Sequence, residues 1–169
     1  TATLNFAAVT AQCYRVYKAL DANFANGCLQ AAEVAYAAAK ASDFIPATSN
    51  GNGGGTYGDN NASDEFYWAA SELYLSTGKQ AYAQDMQASV HHLSLEDVQY
   101  GQAAMGWGTT QALGLLSLAT VGPQYNADES WVAQARNAVI SVAELYVGHT
   151  EFQAYGLPMW TGGMYWGSN

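Results

Sequence analysis

Apolar residues recur along this chain at helical spacing, three and four positions apart, rather than at the alternating spacing of a half-buried strand. This spacing predicts an all-α fold. Turn and cap signals place the helices over residues 3–20, 24–41, 63–77, 79–92, 109–120 and 128–147. Short connections join these helices in pairs, so we expect three helical hairpins.

Each predicted hairpin is followed by a long connection that is rich in glycine and aromatic residues. These connections cover residues 47–59, 101–108 and 148–169. Long connections without their own secondary structure are unusual in compact domains and are often functional. Because one unit of structure repeats three times, we expect about half of a helical barrel, with the three connections gathered on one face as a binding surface.

Charge and aromatic content narrow the class of ligand. The chain has 14 acidic and 5 basic residues, a formal net charge of −9, and 12 Tyr, 5 Trp and 5 Phe among 169 residues. This charge disfavours nucleic acid and anionic membrane surfaces as partners, and no apolar run is long enough for a membrane span. Flat aromatic faces suit the apolar C–H faces of sugars, so we expect a neutral carbohydrate ligand.

The two cysteines, Cys13 and Cys28, are too few for a disulfide framework or a cysteine-based zinc site. They lie on consecutive predicted helices, so a bridge between them is one interpretation. Two buried thiols are the interpretation we favour, because small buried cysteines are common in helical cores.

A family resemblance rests on motifs that run along the whole chain in order. The stretch 53–59, Gly-Gly-Gly-Thr-Tyr-Gly-Asp, is followed by Ser-Asp-Glu-Phe-Tyr-Trp-Ala-Ala-Ser-Glu-Leu-Tyr at 63–74 and by Thr77-Gly78. Similar motifs continue at 2–8, 107–114, 155–158 and 165–169. Together they resemble glycoside hydrolase family nine, which implies a secreted cellulase with an (α/α)6 barrel. Residues 1–169 would then be a partial catalytic domain, truncated at both ends.

The resemblance also indicates which residues this chain lacks. The family carries its catalytic base in an Asp-Ala-Gly-Asp motif before the matched region and its general acid, a glutamate, after it. Neither motif occurs in this sequence. We therefore expect no catalytic residue in this chain, and no hydrolysis by the chain alone, because an inverting mechanism needs two carboxyl groups.

The aromatic residues on the glycine-rich connections are the predicted substrate-binding residues, because glycine lets the backbone approach a ligand closely. They are Tyr57, Trp107, Trp160, Tyr165 and Trp166. The resemblance places Tyr57 near the catalytic base and residues 160–166 among the aromatics that stack on glucan. The alternative is that these side chains only pack their own loops.

Asp64 and Glu65 have two interpretations. The simpler one is that they stabilise the start of a helix through its dipole, with Ser63 as the N-cap. The alternative is a structural calcium site, since residues 59–65 offer several oxygen ligands and some members of the family bind calcium near such an acidic pair. No other cofactor is expected, and His91 and His92 are interpreted as solvated or capping residues at a helix end.

These observations favour a fragment of an inverting cellulase that hydrolyses β-1,4-glucosidic bonds in cellulose or related β-glucans. Its expected partners are cellulose or cello-oligosaccharides and the remaining segments of the same catalytic domain. Two alternatives from other classes are a non-catalytic helical carbohydrate-binding unit and a helical interaction scaffold. If the chain is half a barrel, the inward faces of its helices should expose apolar surface where the missing helices belong.

Overall fold

A computed structural model of the chain describes residues 1–46, 59–95 and 108–156. In these ranges the structure is helical, as predicted. The six α-helices are α1 (Ala2–Tyr17), α2 (Ala22–Ala41), α3 (Ser63–Thr77), α4 (Gln80–Ala88), α5 (Gln111–Val121) and α6 (Glu129–Phe152). A short 3-10 turn, Gly122–Tyr125, joins α5 to α6.

The helices form two layers. In the first layer, α3 packs between α1 and α5, and the second helix of each hairpin packs against the first. Since each hairpin reverses the chain, α1, α3 and α5 run parallel and begin at the same end of the molecule. This is the alternating arrangement of an (α/α) barrel, and the chain forms about half of one.

Helix α3 is the centre of the core, and its residues are buried on nearly all sides. Helix α5 approaches it closely at Gly114, where an added Cβ would lie 3.2 Å from the Trp68 Cα atom and 2.9 Å from the Ser71 hydroxyl oxygen. Gly78 ends α3 in the left-handed conformation, with φ of 67°. Gly114 therefore allows the close approach of α5 to α3.

A buried carboxylate, Glu72, links the three parallel helices. Its side chain is fully buried and forms an ion pair with Arg15, whose side chain is 7% exposed. Glu72 Oε1 also accepts hydrogen bonds from Gln12 Nε2 at 2.8 Å, Trp68 Nε1 at 3.0 Å and Ser117 Oγ at 2.6 Å. Donors from α1, α3 and α5 thus converge on one group, which offsets the cost of burying its charge.

Helices α1 and α6 both expose large apolar side chains. The exposed residues include Phe6, Val9 and Val16 on α1 and Ile140, Leu145, Val147 and Phe152 on α6. Within the described part of the chain, no helix is both long enough and apolar enough to cross a membrane.

The structure corrects the interpretation of the cysteines. Cys13 and Cys28 form a disulfide that joins α1 to α2, with their Cα atoms 6.0 Å apart. The expectation of two buried thiols was therefore wrong. The sequence could not decide the point because both arrangements place the two residues on facing sides of a helical hairpin.

Several predicted helix ends also needed correction. Helix α1 ends at Tyr17 rather than residue 20, and Asp21 caps the start of α2 by accepting a hydrogen bond from the Phe24 backbone N–H. Helix α4 ends at Ala88 rather than residue 92. Helix α6 continues through Gly148 to Phe152, because one glycine costs a long helix only about 1 kcal/mol.

Candidate functional site

Three carboxylates meet at the start of α3. Asp59, Asp64 and Glu65 each offer one oxygen, and these oxygens all lie within 4.8 Å of one another. Two local turns bring them together: Asp59 Oδ1 accepts from the Asn61 backbone N–H at 2.9 Å, and Asn61 Oδ1 accepts from that of Ser63 at 3.0 Å. This group could hold a metal ion.

Asp64 also connects α3 to α5. Its Oδ2 atom accepts hydrogen bonds from the Thr110 backbone N–H at 2.6 Å and from the Thr110 hydroxyl at 3.1 Å. Asp64 is 4% exposed. Asp64 therefore also fixes the start of the neighbouring parallel helix, a contact that neither interpretation of this residue included.

Ser63 has a different role from the predicted N-cap. The cap position is Ala62, which makes no side-chain cap hydrogen bond, and Ser63 is the first residue of α3. The Ser63 hydroxyl instead lies 2.8 Å from His91 Nε2 in a hydrogen bond. His91 is 6% exposed, so the prediction that it is solvated at a helix end was wrong.

The electrostatics of the cluster suit a cation. Glu65 is 3% exposed, and its Oε2 atom is buried without a hydrogen-bond partner. Burial, together with the neighbouring Asp64 carboxyl group, raises the pKa of Glu65 to about 8. In the part of the chain that the structure describes, no Lys or Arg forms an ion pair with these three acids. Oxygen-only ligands of this kind are typical of calcium sites.

Unpaired buried polar atoms also occur in the first turns of the other two parallel helices. Asn5 Oδ1 on α1 and both amide atoms of Gln111 on α5 are buried without a partner. Such groups are rare in folded proteins and call for a ligand, water or further protein. Among the described residues, the start of each parallel helix therefore holds buried polar atoms without a hydrogen-bond partner.

This charge arrangement predicts a pH-dependent stability. In the folded protein without a bound cation, Glu65 holds its proton up to about pH 8, whereas its ordinary pKa is 4.5. The folded state therefore binds more protons than the unfolded state in this interval, and the free energy of unfolding should fall as the pH rises through it. A divalent cation held by the ionised carboxylates should restore stability at the upper end, and calcium is the cation to test.

The measurement is chemical unfolding at both ends of this pH interval, with calcium and with chelator. Glu65→Gln should remove most of the pH dependence and the response to calcium. Glu129→Gln is a matched control, because Glu129 lies exposed in the first turn of α6, and it should behave like the wild type. A wild-type stability that is independent of both pH and calcium would contradict this account of the cluster.

The five predicted substrate-binding aromatics, Tyr57, Trp107, Trp160, Tyr165 and Trp166, lie outside the described residues. The described residues next to the first two connections do come together. Asp59 belongs to the carboxylate cluster, His91 contacts Ser63, and Thr110 contacts Asp64. The last residue of the first connection and one residue on each side of the second therefore lie around the first turn of α3.

Sequence reasoning identified Asp59, Asp64 and Glu65 as neighbours but missed His91 and Thr110. The only available signal was their position next to long aromatic connections. Nothing in the sequence indicated that their partners would be Ser63 and Asp64.

The family model for glycosyl hydrolase family 9 matches residues 1–169. The chain belongs to this family. Family 9 relatives with similar sequences include a cellulose 1,4-β-cellobiosidase of Acetivibrio thermocellus, 38% identical over 99% of this chain and 21% of that protein. Endoglucanase C of Cellulomonas fimi is 38% identical over 99% of this chain and 15% of its own length. A xyloglucan-specific endo-β-1,4-glucanase of Bacteroides ovatus is 32% identical over 94% of this chain and 28% of its own length.

Solved structures of this family have the same fold. AaCel9A, in complex with cellobiose-like isofagomine, superposes with a TM-score of 0.77 at 25% identity, over 98% of this chain and 30% of that protein. A family 9 protein of Bacteroides ovatus gives a TM-score of 0.75 at 30% identity, over 94% of this chain and 30% of its own. The chain thus spans less than a third of the length of these relatives and structures.

Proposed function

We propose that this chain is part of a glycoside hydrolase that cleaves β-1,4-glucosidic bonds in cellulose or related β-glucans. The observation that carries the proposal is the family 9 match over residues 1–169. Of three similar relatives, one is named a cellulose 1,4-β-cellobiosidase, one an endoglucanase and one a xyloglucan-specific endo-β-1,4-glucanase. The acidic charge and the high aromatic content of the chain agree with a neutral polysaccharide as the substrate.

In this proposal residues 1–169 supply one wall of the catalytic domain, and other segments of the same polypeptide supply the two catalytic carboxyl groups. The three acids of the carboxylate cluster do not fit that role. An inverting glycosidase keeps its two carboxyl groups roughly 6.5–9.5 Å apart to admit a water molecule beside the sugar. Asp59, Asp64 and Glu65 are closer together than this, and Asp64 and Glu65 are buried. On its own the chain should therefore be inactive.

The proposed contribution of this chain to catalysis is to bind and orient the glucan. Tyr57, Trp107, Trp160, Tyr165 and Trp166 would stack on glucose units. Holding the substrate lowers the entropy cost of bringing the scissile bond to the acid and the base. The exposed apolar faces of α1 and α6 would be covered by the remaining segments of the barrel.

A structural calcium ion is the proposed occupant of the carboxylate cluster. Asp59, Asp64 and Glu65 would hold it, and the unpaired Glu65 oxygen supports this assignment. When bound, the ion would balance the negative charge of the cluster and keep the start of α3 in place. It takes no part in the proposed reaction.

We also propose that the protein works outside the cell. The supporting observation is the disulfide between Cys13 and Cys28, because disulfides form and persist mainly in oxidising compartments. Insoluble cellulose is also accessible only to a secreted enzyme.

The binding proposal predicts a specific loss of affinity in the complete gene product. Trp166→Ala should weaken cellohexaose binding about fivefold, which corresponds to the roughly 1 kcal/mol of one aromatic stacking contact. Phe24→Ala is the control, because Phe24 is 52% exposed and lies at the start of α2, at the opposite end of the helices from the carboxylate cluster. Calorimetric titration measures both. Equal affinity of wild type and Trp166→Ala would remove Trp166 from the site.

A further inference from the structure

Residues in the first turn of α3 form hydrogen bonds with His91 and Thr110, which lie on either side of residues 96–107. On one side, His91 Nε2 is hydrogen-bonded to the Ser63 hydroxyl at 2.8 Å. On the other side, the backbone N–H and the hydroxyl of Thr110 both donate to Asp64 Oδ2. Ser63 and Asp64 are consecutive residues, so both attachments are made at one place on the helix.

These contacts are not needed to start the helix. Asn61 already satisfies the Ser63 backbone N–H, and the Ser63 hydroxyl makes no cap hydrogen bond within α3. Both attachments are well protected from water, because His91 is 6% exposed and Asp64 is 4% exposed. A hydrogen bond to a charged acceptor, such as the pair from Thr110 to Asp64, is stronger than a neutral one.

The attachments also lie beside the end of the other aromatic connection. Asp59 is the last residue of the first connection, 47–59, and joins Asp64 in the carboxylate cluster. The first turn of α3 is thus a common anchor for the end of the first connection and for points on both sides of the second. Fixing a chain at both sides reduces the entropy that substrate binding would otherwise have to remove.

We propose that Ser63 and Asp64 are positioning residues for substrate binding, which act by holding His91 and Thr110 at fixed points on either side of the second connection. This inference rests on the proposed function, because the ligand affected is the β-1,4-glucan. Neither residue touches the reacting bond in this proposal. Their loss should therefore weaken substrate binding and leave the chemical step nearly intact.

The test uses the complete gene product with Ser63→Ala, Thr110→Val and the double variant, which all leave Asp64 in place. We expect the double variant to raise KM for cello-oligosaccharides about threefold to tenfold, with kcat within about twofold of wild type. Thr110→Ser keeps the hydroxyl group and should retain the wild-type KM. Ser130→Ala is the control, because Ser130 lies in the first turn of α6, where its exposed hydroxyl donates to Asp128.

A second readout does not depend on activity. Amide hydrogen exchange at Thr110 should be faster in the double variant than in the wild type, since one attachment is lost and the other is weakened. The inference would be overturned if the double variant showed wild-type exchange at Thr110, an unchanged KM, or a parallel loss of kcat and thermal stability. If the wild type hydrolyses no β-glucan, the proposed function fails, and unchanged exchange in the double variant would then overturn the anchoring itself.

Discussion

Glu72→Ala is expected to lower the free energy of unfolding of the catalytic domain by about 3–5 kcal/mol, the cost of breaking a buried ion pair from one side. The substitution leaves Arg15 charged in a site where its side chain is only 7% exposed. It also removes the acceptor for Gln12, Trp68 and Ser117. Because these donors come from all three parallel helices, the loss affects the whole layer formed by α1, α3 and α5. Urea unfolding would measure the change in the free energy of unfolding.

The matched control for Glu72 is Glu33→Ala on α2. Glu33 forms an ion pair with Lys79, but their side chains are 29% and 56% exposed. Water screens such a pair, so its loss should cost no more than about 1 kcal/mol. Equal effects of the two substitutions would show that the Glu72 network does not hold the parallel helices together.

Loss of the disulfide is the second large effect. Cys13 and Cys28 are 15 residues apart in sequence, and closing a loop of this length in the unfolded chain contributes about 3 kcal/mol in the chain-entropy model. The double substitution Cys13→Ser and Cys28→Ser should therefore lower the free energy of unfolding by about this amount. The bridge holds α1 to α2 next to Gln12, which bonds Glu72 on α3, so α1 is fixed from both sides.

Reductant provides the control for this prediction. It should destabilise the wild type by a similar amount and leave the double variant unchanged, and thiol titration of the protein unfolded in denaturant without reductant should find no free thiol at Cys13 and Cys28. Two free thiols in that titration, together with no effect of reductant on stability, would support the two buried thiols that the sequence alone favoured.

Helix α3 shows how much of the fold can be read from sequence. Its start and end were predicted correctly because Asp64 and Glu65 mark the first turn and Gly78 stops the helix in the left-handed conformation. The end of α6 was missed because Gly148 was taken as a break, although packing over a 24-residue helix tolerates it. Local signals decide helix boundaries only where tertiary contacts do not outweigh them.

The sequence predicted which acidic residues could form the candidate site, but not which residues elsewhere in the chain contact them. The spacing of Asp59, Asp64 and Glu65 indicated a cluster of oxygen ligands, which the structure brings together. The attachments of His91 and Thr110 join residues 28 and 46 positions apart in sequence, and no local pattern encodes such contacts. Glu72 had a weak signal, since a glutamate four residues after Trp68 within an apolar helix lies on a buried face.

The central claim is that this chain is one wall of a family 9 catalytic domain that cleaves β-1,4-glucans with inversion. The most direct measurement is proton NMR of cellohexaose during hydrolysis by the complete gene product, with the 169-residue chain as a parallel sample. The account predicts that the complete protein first releases sugars in the α-anomeric form, because one displacement inverts the β-linkage. It also predicts no release by the 169-residue chain. Initial release of the β-anomer, turnover by the chain alone, or an inactive complete protein would contradict it.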